Sequence, residues 1–287
     1  MKKCPYCKKT SAVKFGLRKN KSGWVQKYLC QDCKRSFTDR KGFERFRTKS
    51  EVITAALDLR AKGVSLANVV DHIDQHHGLK VSRKTILDWQ NKFGKKLKSF
   101  TQTLKPIIGG QVHADEMFVK VRKEWNYYWD AMDYTTKFLV GEHFSKERNY
   151  MECIQFMESI KNCPVNQPCQ IHTDNSYDYP WPIMKVFGKK GIMHVFYPAW
   201  KKKFQNNPIE RLHNTEKQTI KTFRGFDNFE STKKFFDFNR VYYNFIRKHT
   251  SLGKTTPAEA AGIFLELKRN RFLSLIEILL NSKILAY

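Results

Sequence analysis

The spacing of apolar residues changes along the chain. Between residues 50 and 100 they recur at helical intervals. "SEVITAALDLRAKG" places Ile53, Ala56, Leu57 and Arg60 on one side of a helix and stops at Gly63. "SLANVVDHIDQHHG" restarts at Ser65 and stops at Gly78. "SRKTILDWQNKFG" opens on Ser82, a good N-cap, and carries Ile86, Leu87, Trp89 and Phe93. "KSFTQTLKPIIGG" follows, and Pro106, Gly109 and Gly110 mark a boundary. From Gln111 the pattern turns strand-like: "QVHADEMFVKV", "NYYWDAMD" and "KFLVGEHF" come at hairpin-like intervals, then a helical stretch over about 146–161. A short strand runs from Cys169 to Thr173 and ends on Asp174, and "IMHVFY" is another. "NNPIERLHNTEK" opens a helix, with Asn207 as N-cap and Pro208 at the first helical position, running to about Arg224 before Gly225. "RKHTSLGKTTPAEA" reads as a turn and a helix with Pro257 at its start. The tail "RFLSLIEILLNSK" is apolar around most of a helix, with Arg271, Ser274, Glu277 and Asn281 as a narrow polar stripe; it packs on the core or on another subunit.

A length of 287 residues allows two or three units at about 100–200 residues each. The pattern divides the chain at 1–47, 48–105, 106–263 and 264–287. With 41% hydrophobic and 14% aromatic residues the chain folds rather than staying disordered. Charge adds the first functional clue. There are 53 Lys and Arg against 27 Asp and Glu, a net of +26. Such an excess points to a polyanionic partner, nucleic acid first and an acidic membrane surface second. Residues 1–50 hold 16 Lys and Arg against three acids, half of the excess. No apolar run is long enough to span a membrane, and "MKKCPYCKK" has no signal-peptide core, so the expected location is the cytoplasm, with reduced cysteines.

Four of seven cysteines are organised. Cys4 and Cys7 form one C-x-x-C, Cys30 and Cys33 another, with 22 residues between the pairs. Two such knuckles present four thiolates to one structural Zn²⁺. Between them "GLRKNKSGWVQKYLC" fits a short hairpin with Gly23 in its turn. A unit of this size has little core, and a metal supplies the missing stability. A pair of redox dithiols is the alternative. Cys153, Cys163 and Cys169 lack such spacing and read as structural thiols. The three helices ending in "SRKT" suggest a helix-turn-helix, with Arg83, Lys84 and Thr85 where base edges are read. A helical connector with a solvated basic tip is the alternative.

Three acids stand out by position: Asp115 in the first strand, Asp174 ending a later one, and Glu210 in the first turn of a helix. Carboxylates from separate elements can converge and hold two Mg²⁺ (or Mn²⁺) ions for in-line phosphoryl transfer. Each has another reading. Asp115 neighbours Glu116, which alternation sends to the opposite face. Asp174 competes with Asp178 and can cap a turn. Glu210 can complement the helix dipole. On that helix Glu210, His213, Asn214, Lys217, Lys221 and Arg224 are expected on one face, and Ile209, Leu212, Ile220 and Phe223 on the apolar one. Lys201, Lys202 and Lys203, just before it, grip phosphates or form a solvated loop.

The stretches "HADEMFVKVRKEWNYYWDAMD", "IHTDNSYDYP", "NNPIERLHNTEKQTIKTFRGF" and "NFIRKHTSLGKTTPAEAAGI" resemble a DDE-type insertion-sequence transposase, nearest the insertion sequence six family. The likeness covers about residues 111–263. It includes 35 residues between Asp174 and Glu210, and a basic residue, Lys217, seven after the glutamate. The resemblance implies an α/β RNase H-like core of mixed sheet and helices, shared with retroviral integrases. It implies Asp115, Asp174 and Glu210 as catalytic metal ligands, and Lys217 as a contact to double-stranded DNA, with His213, Lys221 and Arg224 in the same stripe. The zinc ribbon and helix-turn-helix then resemble a module for terminal inverted repeats. The short gap leaves no room for a large inserted domain, which implies a replicative, cointegrate-forming route. A homodimer or higher homo-oligomer acting on two DNA ends in a prokaryotic nucleoid is expected. A silent DNA-binding regulator and a nuclease that cuts without joining are the rival classes.

Overall fold

The computed structural model describes residues 2–20, 23–38, 43, 46–174, 176, 178–188, 191–197, 207–223 and 225–285. The N-terminal unit is a three-stranded antiparallel sheet of β1 (Ala12–Asn20), β2 (Gly23–Cys30) and β3 (Ser36–Thr38), in that order. The expected hairpin is therefore joined by a third strand.

Three helices follow: α1 (Ser50–Ala61), α2 (Leu66–His77) and α3 (Arg83–Thr101). The Ser65 hydroxyl accepts from the Asn68 N–H, and the Ser82 hydroxyl from that of Thr85; each satisfies an orphan donor at a helix start. Gly78 closes α2 in the left-handed conformation, φ 60°. Gly94 lies inside α3, which runs on to Thr101. Its place is explained by packing. A Cβ on Gly94 would stand 3.3 Å from Phe238 Cβ on α7 (Phe229–Val241), so glycine lets the two helices approach. Lys98, a turn later, pairs with Glu142 at 2.8 Å and with Asp237. Replacing Gly94 by Leu is expected to cost about 1–3 kcal/mol through overpacking, despite a gain in helix propensity. A fall of several degrees in melting temperature checks this.

The second sheet contains β4 (Gln111–Val121), β5 (Glu124–Asp133), β6 (Leu139–Ser145), β7 (Gln170–Asp174) and β8 (Met193–Tyr197). Its order is β6-β5-β4-β7-β8. β4, β5 and β6 run antiparallel; β4, β7 and β8 run parallel. One face is covered by α4 (Tyr150–Lys161), whose Cys153, Phe156 and Met157 join Val112, Ala114, Trp129 and Val140 in the main core. α5 (Pro180–Phe187) packs beside α4. The other face carries α6 (Asn207–Phe223) and α7, where Ile220, Phe223, Phe235 and Phe236 meet Met117, Val119 and Tyr128.

α7 passes into a π-helical turn, Tyr242–Ile246, then the short α8 (Pro257–Ala260), held by a capping box between Thr256 and Glu259. The tail forms α9 (Arg271–Leu285), which packs on α1 and α3. Phe272, Leu275, Ile276 and Leu279 are buried in the main core, so this chain occupies the apolar face of its own tail there. No helix among the described residues is long and apolar enough to cross a membrane.

Candidate active site and thiol cluster

The four cysteines come together. Cys4 and Cys33 sulfurs lie 3.6 Å apart and Cys7 and Cys30 sulfurs 3.5 Å, with all four within 4.8 Å. Sulfurs at the corners of a tetrahedron with Zn–S bonds of about 2.3 Å would be about 3.8 Å apart, so the donor set fits zinc. The two knuckles repeat one backbone design. Lys8 N–H donates to Cys4 C=O and Lys34 N–H to Cys30 C=O, and both lysines are left-handed, φ 63° and 56°. The Cys33 N–H and then the Ser11 hydroxyl hold the Cys30 thiol down at about 6, toward the thiolate that a metal needs.

Across the second sheet, four acids line up on the face that α6 covers. β5 pairs Asp130 with Asp115 on one side and with Glu142 on the other. β7 pairs His172 with His113, so Asp174, two residues on, comes level with Asp115. The row Asp174, Asp115, Asp130, Glu142 crosses the sheet, exposed at Asp174, fully buried at Asp130 and partly buried at Glu142. Asp174 is exposed, and its carboxylate accepts from the Ser176 N–H at 3.0 Å. Asp115 is partly buried, and its Oδ1 accepts from the Glu116 N–H at 2.9 Å. Asp130 is fully buried. Burial pushes Glu142 upward, but Arg240 and Lys98 outweigh it and hold its carboxyl at about 2.

Strand alternation separates Asp115 from Glu116 as expected. Glu116 turns to the opposite face, where Arg148 donates to it at 2.6 Å and the Tyr179 hydroxyl donates as well. Arg148 also donates to Ser176 at 2.9 Å and pairs with Asp178 at 3.5 Å, so it ties the chain after β7 to this strand. Asp178 is thereby engaged in an ion pair, while Asp174 stays beside Asp115. Arg148 and Asp130 are site residues that the sequence reading did not single out.

Glu210 is exposed in the first turn of α6. Among the described residues, the only group of three or more His, Cys, Asp or Glu donors gathered within 4.8 Å is the cysteine quartet. The structure thus sets Asp174 near Asp115, close enough for its charge to act on that carboxyl, and does not gather Glu210 with them. Lys217 and Lys221 are exposed on α6, and Arg83 and Lys84 at the start of α3. Thr85 is half-buried, its hydroxyl hydrogen-bonded to Ser82. Lys201, Lys202, Lys203, Arg224 and the Asn207 side chain lie outside the described residues.

His213 corrects the expected basic stripe. It is 4% exposed and faces the sheet, with Nδ1 3.6 Å from Asp115 and Nε2 3.5 Å from Asp130. Glu216, the next turn along, is buried too. The inner face of α6 is therefore Ile209, Leu212, His213 and Glu216, and the outer stripe is Glu210, Asn214, Lys217 and Lys221.

Burial pushes the Asp115 carboxyl up to about 7; His213 pulls against it, and the Glu116 and Asp174 carboxylates add to the rise. Unfolded, an aspartate ionises near 4. The folded chain therefore holds this proton more tightly, and the stability it contributes is full below about pH 4 and lost as pH rises through about 7. In metal-free protein, Asp115→Asn removes that loss. Its melting temperature relative to the natural chain is expected to rise between pH 5 and pH 8, which thermal unfolding in matched buffers measures.

A five-stranded mixed sheet in this order, with acids on adjacent strands beneath a helix, has the RNase H-like topology. Residues 109–249 match the family model DDE_Tnp_IS240, a DDE domain. That stretch, just under half of the chain, is similar to the DDE domain of that family. A curated relative, the uncharacterised protein MJ0017 of Methanocaldococcus jannaschii, is 28% identical over 207 residues, covering 68% of this chain and 94% of that protein. Among solved structures, the HTLV-2 integrase catalytic core in complex with magnesium (trimeric form) is similar at TM-score 0.42 and 14% identity, over 54% of this chain and 97% of that one. The BIV integrase core gives 0.41 and 15%, over 53% and 93%. A simian T-cell lymphotropic virus intasome, in complex with a PP2A regulatory subunit, gives 0.45 and 11%, over 72% and 74%.

Proposed function

We propose that this chain is an insertion-sequence transposase that cuts and joins DNA at the ends of its element. The carrying observation is the side-by-side placement of Asp115 and Asp174 on one sheet face inside the matched DDE domain. Residues 1–47 and 48–105 read the element's terminal inverted repeats, 106–263 do the chemistry, and 264–287 brace the helices. Zinc held by Cys4, Cys7, Cys30 and Cys33 keeps the basic ribbon folded. Arg83, Lys84 and Thr85 sit where a recognition helix meets base edges. Lys217 and Lys221 track the backbone beside the reacting phosphate. Two element ends call for at least a dimer, and the short spacing from Asp174 to Glu210 favours the replicative route.

Asp115, Asp174 and Glu210 would hold two Mg²⁺ or Mn²⁺ ions. When bound, such ions neutralise phosphate charge and activate water. In the first step water attacks the phosphorus at the element end, the P–O3′ bond breaks, and a free 3′-OH is left. In the second, that 3′-OH attacks a target phosphorus and displaces the target's own 3′-oxygen. The protein holds the reacting groups in line, and no covalent enzyme intermediate forms. Incubating the protein with labelled element ends, target plasmid and Mg²⁺ tests this. Joined product is expected. Nicks without joining would make it a nuclease, and end binding without cleavage a regulator.

A further inference from the structure

Asp130 takes no part in the chemistry above, yet it stands beside Asp115 in the row of acids. Its side chain is fully buried, and neither of its oxygens has a conventional hydrogen-bond partner. A buried acid in that state is costly, and an apolar or amide side chain would serve stability better. Its surroundings suggest another use. His213 Nε2 lies 3.5 Å from Asp130 Oδ2, and Nδ1 of the same ring lies 3.6 Å from Asp115 Oδ2. The ring therefore bridges paired positions on adjacent strands. Tyr128 and Glu142 face Asp130 from the sheet, and Glu216 faces it from the next turn of α6.

These separations are ion-pair distances, longer than hydrogen bonds. Such contacts in a ligand-free site tighten when the ligand arrives. Asp115 is then held at both oxygens, Oδ1 by the Glu116 N–H and Oδ2 by the ring. The ring is in turn held by Asp130.

We propose that Asp130 is a positioning residue that acts through His213. It fixes the plane of the ring and so the direction in which Asp115 presents its carboxylate to metal. The inference rests on the reading of Asp115 as a metal ligand. Partners behind a ligand typically contribute about 10–100-fold to metal affinity.

The test uses the full-length, zinc-loaded protein without DNA and calorimetric titration with Mn²⁺. Asp130→Asn keeps the shape and removes the buried charge. It is expected to weaken Mn²⁺ binding by about 10–100-fold while the metal-free melting temperature stays level or rises. His213→Asn is expected to weaken Mn²⁺ to a similar extent and also serves if the first variant does not fold. The double variant is expected to be no worse than either single one, because both act along one path. Unchanged Mn²⁺ affinity in Asp130→Asn with a lowered melting temperature would mean a structural role only and would overturn the proposal. Asp174→Asn is the control. If it also leaves Mn²⁺ binding unchanged, the reading of these acids as the metal site fails; if it alone loses the metal, only the role of Asp130 fails.

Discussion

Asp174→Asn abolishes strand transfer and leaves binding of the element ends intact: this is the expected result with the largest effect on activity. Asp174 ends β7, is exposed, and lies two residues past the last β4–β7 pair, near enough for its charge to act on Asp115. An amide has nearly the same shape but no charge, and Asp174 is exposed, so the fold has no reason to change. What disappears is one of the two carboxylates that the structure already sets near each other. Losing metal stabilisation of several kcal/mol corresponds to a rate loss on the order of a thousandfold. Gel-shift binding to terminal repeats and a strand-transfer assay on the same preparation give the two readouts. Transfer at the natural rate would remove Asp174 from the mechanism.

The second large effect concerns the ribbon. Its three strands cover residues 12–38 and enclose little apolar surface; Phe15, Leu17 and Trp24 are all exposed. Four thiols within 4.8 Å of one another are a donor set that could hold one metal ion. Structural zinc contributes on the order of 10 kcal/mol to small domains of this kind. Elemental analysis of protein purified without chelators is expected to find about one zinc per chain. Cys33→Ser is expected to lose the zinc, unfold the N-terminal strands and weaken end binding, while the transition of the remainder stays in place. A ribbon that keeps its amide-exchange protection without metal would refute the assignment.

Much of the site was legible in the sequence because its residues obey local rules. Cysteine spacing, strand alternation at Asp115 and Glu116, and the Asn-Pro start of α6 each depend on a few neighbouring residues. His213 was misplaced for a different reason. Helical periodicity separates apolar from polar residues, and it treats every polar residue as facing water. Beneath α6 the sheet offers a line of carboxylates, so His213 and Glu216 turn inward with Leu212. Asp130 was recoverable from register. A tight turn at Arg122 and Lys123 pairs Val121 with Glu124, and counting back pairs Asp115 with Asp130. α5 and α7 were not read: α5 is eight residues long with prolines at 180 and 182, and α7 presents phenylalanines in a strongly charged segment.

The contact between Gly94 and Phe238 limits how this protein can be re-targeted. Exchanging the N-terminal part for another by a joint near residue 105 would carry away Phe93 and Leu97, and would uncover Phe238 and Phe272, which share their core cluster. The graft would fail by aggregation before its specificity could be measured. Phe43 already belongs to the same cluster, so the joint that spares it lies ahead of that residue. The interchangeable part is the ribbon alone, and the three helices travel with the enzyme.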